Sequence, residues 1–325
     1  MKALIERKIF SNFPIAVHWK SPLSKWTTFK LGGKCPCLIN CQTPEELILA
    51  IRFLHKHKLP FFLMGGGSNL IISDEGIGRV VVRYATTTPI IKRTGNKIKV
   101  SASTSLDDLA VFAATQGLEG INCSSGIPGT VGGAIVGNAG AFGQQIGDRV
   151  ISVKLLDPSG KIKMVGPKDL GFAYRHSNLK ESNDVVIEAV LGLQRGDSTQ
   201  LLQERQEFLE LRHSKHPDLR QEPCAGSIFR NIEPTSKAQR RQAAGWFLEQ
   251  VGGKKLRCGG AAIYRKHANI IIKKQKCTAQ NVFDLSWKMQ ELVKKNFGFD
   301  LVREVRFIGK FAVERDELKD VPLSF

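Results

Sequence analysis

The first residues able to do chemistry are Gly65-Gly66-Gly67-Ser68-Asn69, which follow directly on the apolar run Phe61–Met64. Three consecutive glycines leave backbone N–H groups uncovered and allow positive φ, so the chain can wrap a diphosphate as an anion nest. Ser68 and Asn69 add side-chain donors. The stretch is not a Walker loop, because no Gly-Lys-Ser/Thr follows, and it lacks both the G-x-G-x-x-G spacing and the following helix of the dinucleotide fingerprint. Taken alone it is equally a tight hairpin between two strands. A second segment runs Gly126-Ile127-Pro128-Gly129-Thr130-Val131-Gly132-Gly133-Ala134 and on through Gly137-Asn138-Ala139-Gly140-Ala141. Ordering so many glycines carries a large entropy cost, which a ligand needing close backbone approach would offset. Structural turns are the alternative, but two such segments in one chain suggest one shared phosphorylated ligand.

The elements that must position these segments can be read from local signals. Thr43-Pro44-Glu45-Glu46 opens a helix that runs toward Lys58 and is stopped by Pro60. Phe61–Met64, Leu70–Ile72 and Val80–Val82 read as strands, which makes an α/β unit ending near residue 90. A strand over Ile98–Ala102 precedes a helix over Leu106–Gln116 capped by Ser105. Val150–Leu156 and Lys161–Val165 flank the turn Asp157-Pro158-Ser159-Gly160, and Val185–Leu193 completes that region. An amphipathic helix over Ser198–His213 leads to a third region. It contains a helix over Gln239–Val251, a strand over Ala268–Ile272, a helix over Thr278–Asn296 and a closing strand over Leu301–Ile308. The expected division is 1–90, 91–197, 198–309 and a C-terminal tail, 310–325.

Composition narrows the function classes. The 325 residues are 42% hydrophobic and 24% charged, as in soluble globular proteins. The net charge of +18 favours anionic partners: nucleic acid, acidic membrane or phosphorylated small molecules. No apolar run has the length of a membrane span, and Met1–Pro14 lacks a signal-peptide pattern, so a cytoplasmic protein is expected. The seven cysteines are odd in number, and the C-x-C-x3-C spacing of Cys35, Cys37 and Cys41 lacks the second ligand pair of a zinc site. No metal site is expected.

In order along the chain, Thr27-Thr28-Phe29-Lys30-Leu31-Gly32-Gly33, the two glycine segments, Tyr174-Arg175-His176-Ser177, Ala225-Gly226-Ser227-Ile228-Phe229-Arg230-Asn231, Lys266-His267-Ala268-Asn269 and Glu304-Val305-Arg306 resemble the UDP-N-acetylenolpyruvoylglucosamine reductase family. The resemblance covers about residues 25 to 309. It implies an α+β fold, with a two-part FAD-binding domain of the vanillyl-alcohol-oxidase (PCMH) type and a C-terminal α+β substrate-binding domain. It also implies FAD and NADPH as cofactors, a UDP-sugar as substrate, and no nucleic-acid or membrane partner for a monomer. Hydride from flavin N5 would reduce the enolpyruvyl group to give UDP-N-acetylmuramate for peptidoglycan.

On this resemblance Gly65, Gly66, Gly67, Ser68, Asn69, Gly126, Gly129, Thr130 and Gly133 bind the cofactor. Arg175 serves the substrate carboxylate, where a planar guanidinium fork is better suited than lysine. Ser227 is the proton donor, and Glu304 assists the carboxylate, with Arg306 as a candidate orienting partner. Hydride addition to an unsaturated carboxylate builds enolate charge, which cationic and hydrogen-bonding groups stabilise. Each residue also has a plain reading: a surface ion pair for Arg175, a turn serine after Gly226, and a Glu–Arg pair on an edge strand for Glu304. Asn231 and Lys266 are nominated as substrate contacts within a basic region that solvation largely explains. His267 reads as structural.

Two departures from the family pattern bear on substrate contacts: Ile232 after Asn231, and Tyr264-Arg265 before Lys266. The short stretch between Leu193 and Ala225 places the chain with the branch that lacks an inserted tyrosine loop. In that branch another element, such as the helix at Gln239–Val251, must exclude water. The alternatives are another FAD-dependent oxidase of the same superfamily and a basic nucleic-acid-binding protein. The latter predicts aromatics interleaved with Lys/Arg or a known module, and neither is found.

Overall fold

The computed structural model describes residues 7–234 and 240–312. Its contacts group the chain into two compact units that do not follow chain order. The first takes the residues up to Ser21, Pro36–Gly66 and Gly78–Ser214; the second takes Pro22–Cys35, Gly67–Ile77 and the chain from Lys215 onward.

Among the described residues the first unit contains two larger sheets, of four and five strands, beside two two-stranded ones. Cys37–Cys41, Val80–Tyr84 and Phe61–Met64 lie parallel, and Val17–Trp19 adds an antiparallel edge. Helix α1 (Pro44–Lys56) makes the crossover. It starts as its sequence requires: the Thr43 hydroxyl accepts from the Glu46 amide, and the Glu46 carboxylate accepts from the Gln42 and Thr43 amides. The second sheet is antiparallel, in the order Ile162–Val165, Val150–Leu156, Val185–Gly192, Lys97–Ser101, Ile91–Thr94. Leu47, Ile51 and Leu54 of α1 and Leu106 and Leu109 of α2 (Leu106–Thr115) share one core with Ile98, Val100, Val153 and Ile187. The glycine segment also contains an element not expected from sequence, helix α3 (Val131–Gly137), capped by Thr130 and ended by Asn138 at φ 44°. A long helix, α4 (Ser198–Lys215), closes the unit. Only Gly196 and Asp197 separate it from the strand Gln194–Arg195, so no loop is inserted there.

The second unit is built on an antiparallel sheet of Arg257–Cys258, Ala261–Tyr264 and His267–Lys273. Helices α5 (Ala244–Gln250) and α6 (Ala279–Phe297) share a core with it through Ala244, Leu248, Ile271, Val282 and Met289. Residues 67–77 belong to this unit because Leu70–Ile72 pairs in parallel with Arg306–Ile308. The Asp74 carboxylate accepts from the Ala279 and Gln280 amides, placing negative charge at the positive end of α6. Both units mix helix and strand, and among the described residues no helix is long and apolar enough to cross a membrane.

Two expected elements are shorter than anticipated. Of the helix at Gln239–Val251, Gln239 lies outside the described residues and residues 240–243 are not helical. Gln242 instead bridges Ile232, and Asn231 Oδ1 accepts from the Ala244 amide where α5 begins. The closing strand is regular only over Arg306–Ile308. Residues 301–305 form no regular strand and bond irregularly to the Ile228–Arg230 segment, with a single bridge between Arg303 and Phe229. Of the expected tail, residues 313–325 lie outside the described residues.

The capping box at α6, with Thr278 Oγ1 accepting from the Asn281 amide, gives a direct stability test. Thr278→Ala is expected to lower the unfolding free energy by about 1 kcal/mol. The shift should appear as a lower urea midpoint with an unchanged slope.

Candidate active site

In the first unit the two glycine segments meet. A side chain at Gly65 would collide with the Thr130 hydroxyl, and a Cβ at Gly66 would lie 3.2 Å from the Gly129 Cα. Gly67 has φ 64°. Among the described residues nothing accepts from the backbone N–H groups of Gly66, Gly67 and Ser68. Consecutive amides without acceptors are what an anion nest requires. The second segment contributes differently. The Gly126 amide donates to Asp107 at 2.7 Å, and that of Gly133 to Thr130 Oγ1 at 3.3 Å. Those two donors are therefore committed within the protein, and Gly126 and Gly133 shape the loop rather than offer N–H groups.

Helix α4 holds this second loop. Arg205 makes a bidentate pair with Asp107 at 2.6 and 3.0 Å, while Arg212 donates to the Ser125 and Cys123 carbonyls at 2.6 and 3.2 Å. Burial pulls the Arg212 pKa down; Asp107 opposes this and the charge of Arg175 adds to it. Burial by itself would raise the Asp107 pKa. The hydrogen bonds from Arg205 and Gly126, with the charges of Arg205 and Arg212, outweigh it and hold the carboxyl below its usual range.

Arg175 also belongs to the first unit. Ala173 and His176 exchange backbone hydrogen bonds at 3.1 Å across a two-residue turn, in which Arg175 has φ 54°. That conformation normally falls to Gly or Asn, so the turn accepts strain to present an arginine. The end of α3 fixes the turn: Asn138 Nδ2 donates to the Ala173 carbonyl at 2.8 Å, and Ser177 Oγ to the Val136 carbonyl at 2.8 Å. Lys180 Nζ donates to the Arg175 carbonyl at 2.7 Å, and the guanidinium lies 5.4 Å from the centre of the Tyr174 ring.

In the second unit, Ser227 and Glu304 are anchored on neighbouring peptides. The Glu304 amide donates to the Ile228 carbonyl at 2.7 Å, and Asn69 Nδ2 donates to the Glu304 carbonyl at 3.0 Å. The Arg306 amide donates to the Asn69 carbonyl at 3.0 Å. The end of the first glycine loop is thus tied to the Glu304 segment. Ser227 is half-buried after Gly226 at φ 77°, and among the described residues nothing hydrogen-bonds to its hydroxyl. Arg306 is half-buried, and that partial desolvation lowers its pKa. Asn231 and Lys266 are both exposed; Asn231 caps α5, and Lys266 lies in the turn between two strands. His267 accepts from the Asn269 amide through Nδ1, consistent with a structural role. The groups not anticipated from sequence are Asn138, Arg205, Arg212 and Asn269. The signal available for Asn138 was a polar residue at the end of a glycine-rich helix, a frequent left-handed cap.

The Asp107–Arg205 pair makes a pH-dependent prediction. A depressed carboxyl pKa contributes stability above the unfolded value near about pH 4, lost as pH falls through the folded value. Asp107→Asn should therefore be destabilised at neutral pH, with the difference from wild type shrinking in acid. A difference in denaturation midpoint that does not change with pH would exclude the ion pair as its source.

Residues 36–166 match the FAD binding domain family, and residues 217–308 match the C-terminal domain of UDP-N-acetylenolpyruvoylglucosamine reductase. The chain is 35% identical over 294 residues to the UDP-N-acetylenolpyruvoylglucosamine reductase of Caldanaerobacter subterraneus subsp. tengcongensis, covering 90% of this chain and 94% of that protein. With the corresponding reductase of Carboxydothermus hydrogenoformans it shares 34% identity over 311 residues, 95% and 99% of the two chains. The crystal structure of UDP-N-acetylenolpyruvylglucosamine reductase from Thermus caldophilus matches 91% of this chain and 100% of its own, with a TM-score of 0.75 at 29% identity. The chain belongs to the UDP-N-acetylenolpyruvoylglucosamine reductase family.

Proposed function

We propose that the protein reduces the enolpyruvyl group of UDP-N-acetylenolpyruvoylglucosamine to UDP-N-acetylmuramate, with FAD as hydride carrier and NADPH as reductant. Membership of the family supports the reaction. The observation that carries the residue assignment is the anchoring of Ser227 and Glu304 on adjacent peptides, with the serine hydroxyl making no hydrogen bond among the described residues. The open amides of Gly66, Gly67 and Ser68 fit an FAD diphosphate, and the contact of Gly65 and Gly66 with Gly129 and Thr130 leaves no room for side chains there. FAD held by these segments would supply hydride transfer from NADPH to the terminal carbon of the double bond.

The protein's own groups do the rest. Ser227 donates the proton to the carbon next to the carboxylate. A serine is a weak acid, so its placement against the developing carbanion must do most of that work. Arg175 stabilises the charge that hydride addition drives into the carboxylate, with a fork already oriented by its strained turn. Glu304 assists the substrate carboxylate as a hydrogen-bonding group. Asn231 and Lys266 contribute contacts to the substrate. The enzyme acts as a cytoplasmic monomer on small molecules, without nucleic-acid or membrane partners. Its product serves cell-wall synthesis, and through it cell shape and division.

Ser227→Ala should leave flavin reduction by NADPH within about twofold of wild type and slow reoxidation by the enolpyruvyl-UDP-sugar by at least about 1,000-fold. Equal loss in both half-reactions would remove Ser227 from the donor role. Gly65→Ala tests the cofactor cradle: a methyl group against the Thr130 hydroxyl should weaken FAD retention about tenfold or more on dialysis, whereas unchanged retention would place the cofactor elsewhere.

A further inference from the structure

The strand His267–Lys273 is regular except at one place. Ile271 pairs with Ile263 and His267 with Tyr264, so Ala268, Asn269 and Ile270 have no opposite residues on that neighbour. Irregularities of this kind re-aim side chains and are frequent beside active sites. Here the re-aimed residue is Asn269, only 2% exposed. Its Oδ1 accepts from the Phe229 amide at 3.0 Å, and its Nδ2 donates to the Phe229 carbonyl at 2.8 Å. Its backbone carbonyl accepts from the Ile228 amide at 2.9 Å, and Ser227 bridges Ile270 alongside. One asparagine therefore holds both polar groups of Phe229 and the amide of Ile228, on the side of the segment away from Glu304. On the other side, the Glu304 amide binds the Ile228 carbonyl. The Ser227–Phe229 backbone is clamped, and all four backbone polar groups of Ile228 and Phe229 are taken by Asn269 or Glu304.

We propose that Asn269 is a positioning residue for the proton-transfer step: its clamp sets the Ser227 hydroxyl in register with Glu304. The inference rests on the reading of Ser227 as the proton donor. A side-chain amide suits this task because it offers one donor and one acceptor in a single plane, matching the two groups of one residue. A regular ladder would hold the same backbone, but through residues whose side chains alternate away from it. Asn269 does not touch substrate or cofactor in this account and acts only through the backbone that carries Ser227.

The test uses the FAD-loaded full chain. Asn269→Asp preserves size and the acceptor for the Phe229 amide but removes the donor to its carbonyl. Flavin reduction by NADPH should stay within about twofold of wild type, while reoxidation by enolpyruvyl-UDP-sugar slows on the order of 100-fold, with a larger solvent deuterium isotope effect. Added to Ser227→Ala, Asn269→Asp should slow reoxidation by no more than about a further twofold, because a residue acting through Ser227 has nothing left to position. Multiplicative effects in the double variant, or equal slowing of both half-reactions, would overturn the proposal. If Asn269→Asp does not fold, Asn269→Ser is the replacement, since it buries no charge and cannot reach both groups. Failure of both variants to fold would also overturn it, by assigning the clamp to folding. A slow Ser227→Ala beside a normal Asn269→Asp would sink this inference alone, whereas a normal Ser227→Ala would sink the donor reading beneath it.

Discussion

The first unit depends on the contact between Gly65 and the Thr130 hydroxyl. Thr130 occupies the space that any side chain at position 65 would need, and the same hydroxyl accepts from the Gly133 amide to start α3. Helix α3 ends at Asn138, whose side chain holds the carbonyl of Ala173 and accepts from the Gly147 amide. The turn so fixed presents Arg175. One hydroxyl therefore links the first glycine loop to the turn that carries Arg175. Proximity to Thr130 and Gly129 by itself favours glycine at 65 and 66, which explains why two glycine-rich segments occur together.

The second unit follows a related logic with peptide groups in place of a helix. Asn69, Ile228, Asn269 and Glu304 form a chain of backbone and amide hydrogen bonds that brings the serine and the carboxylate onto neighbouring peptides. Little of this is regular secondary structure. Extended segments held by side-chain amides can set a residue's position without the alternation that a ladder imposes, at the cost of burying groups that must all be satisfied.

Legibility from sequence divides along the same physical line. The starts of α1, α2 and α6 could be read because Thr43, Ser105 and Thr278 act on amides three residues away. The strands Phe61–Met64 and Val150–Leu156 were equally plain, since apolar runs bounded by turn residues are local signals. Helix α3 was hidden because Val-Gly-Gly-Ala-Ile-Val-Gly has poor helix propensity, and packing of Val131, Ala134 and Ile135 overrides it. Residues 301–305 alternate like a strand yet pair irregularly, because their partner is the Ser227 block rather than a regular edge. The pairing of Leu70–Ile72 with Arg306–Ile308 spans most of the chain and leaves no local trace. At the candidate site, the glycines and the family-matched Arg175, Ser227 and Glu304 can be nominated from sequence, and their roles are proposals. Arg205, Arg212 and Asn269 cannot be, since a charged helix residue or an asparagine in a strand shows its partner only in three dimensions.

Hydride passage from NADPH to an enolpyruvyl-UDP-sugar through a flavin held by this chain can be followed in the flavin absorbance of the wild-type protein without oxygen. NADPH should bleach the flavin, and enolpyruvyl-UDP-N-acetylglucosamine added afterwards should restore the colour in proportion to the product formed. A flavin that NADPH reduces but only oxygen reoxidises would rule that passage out.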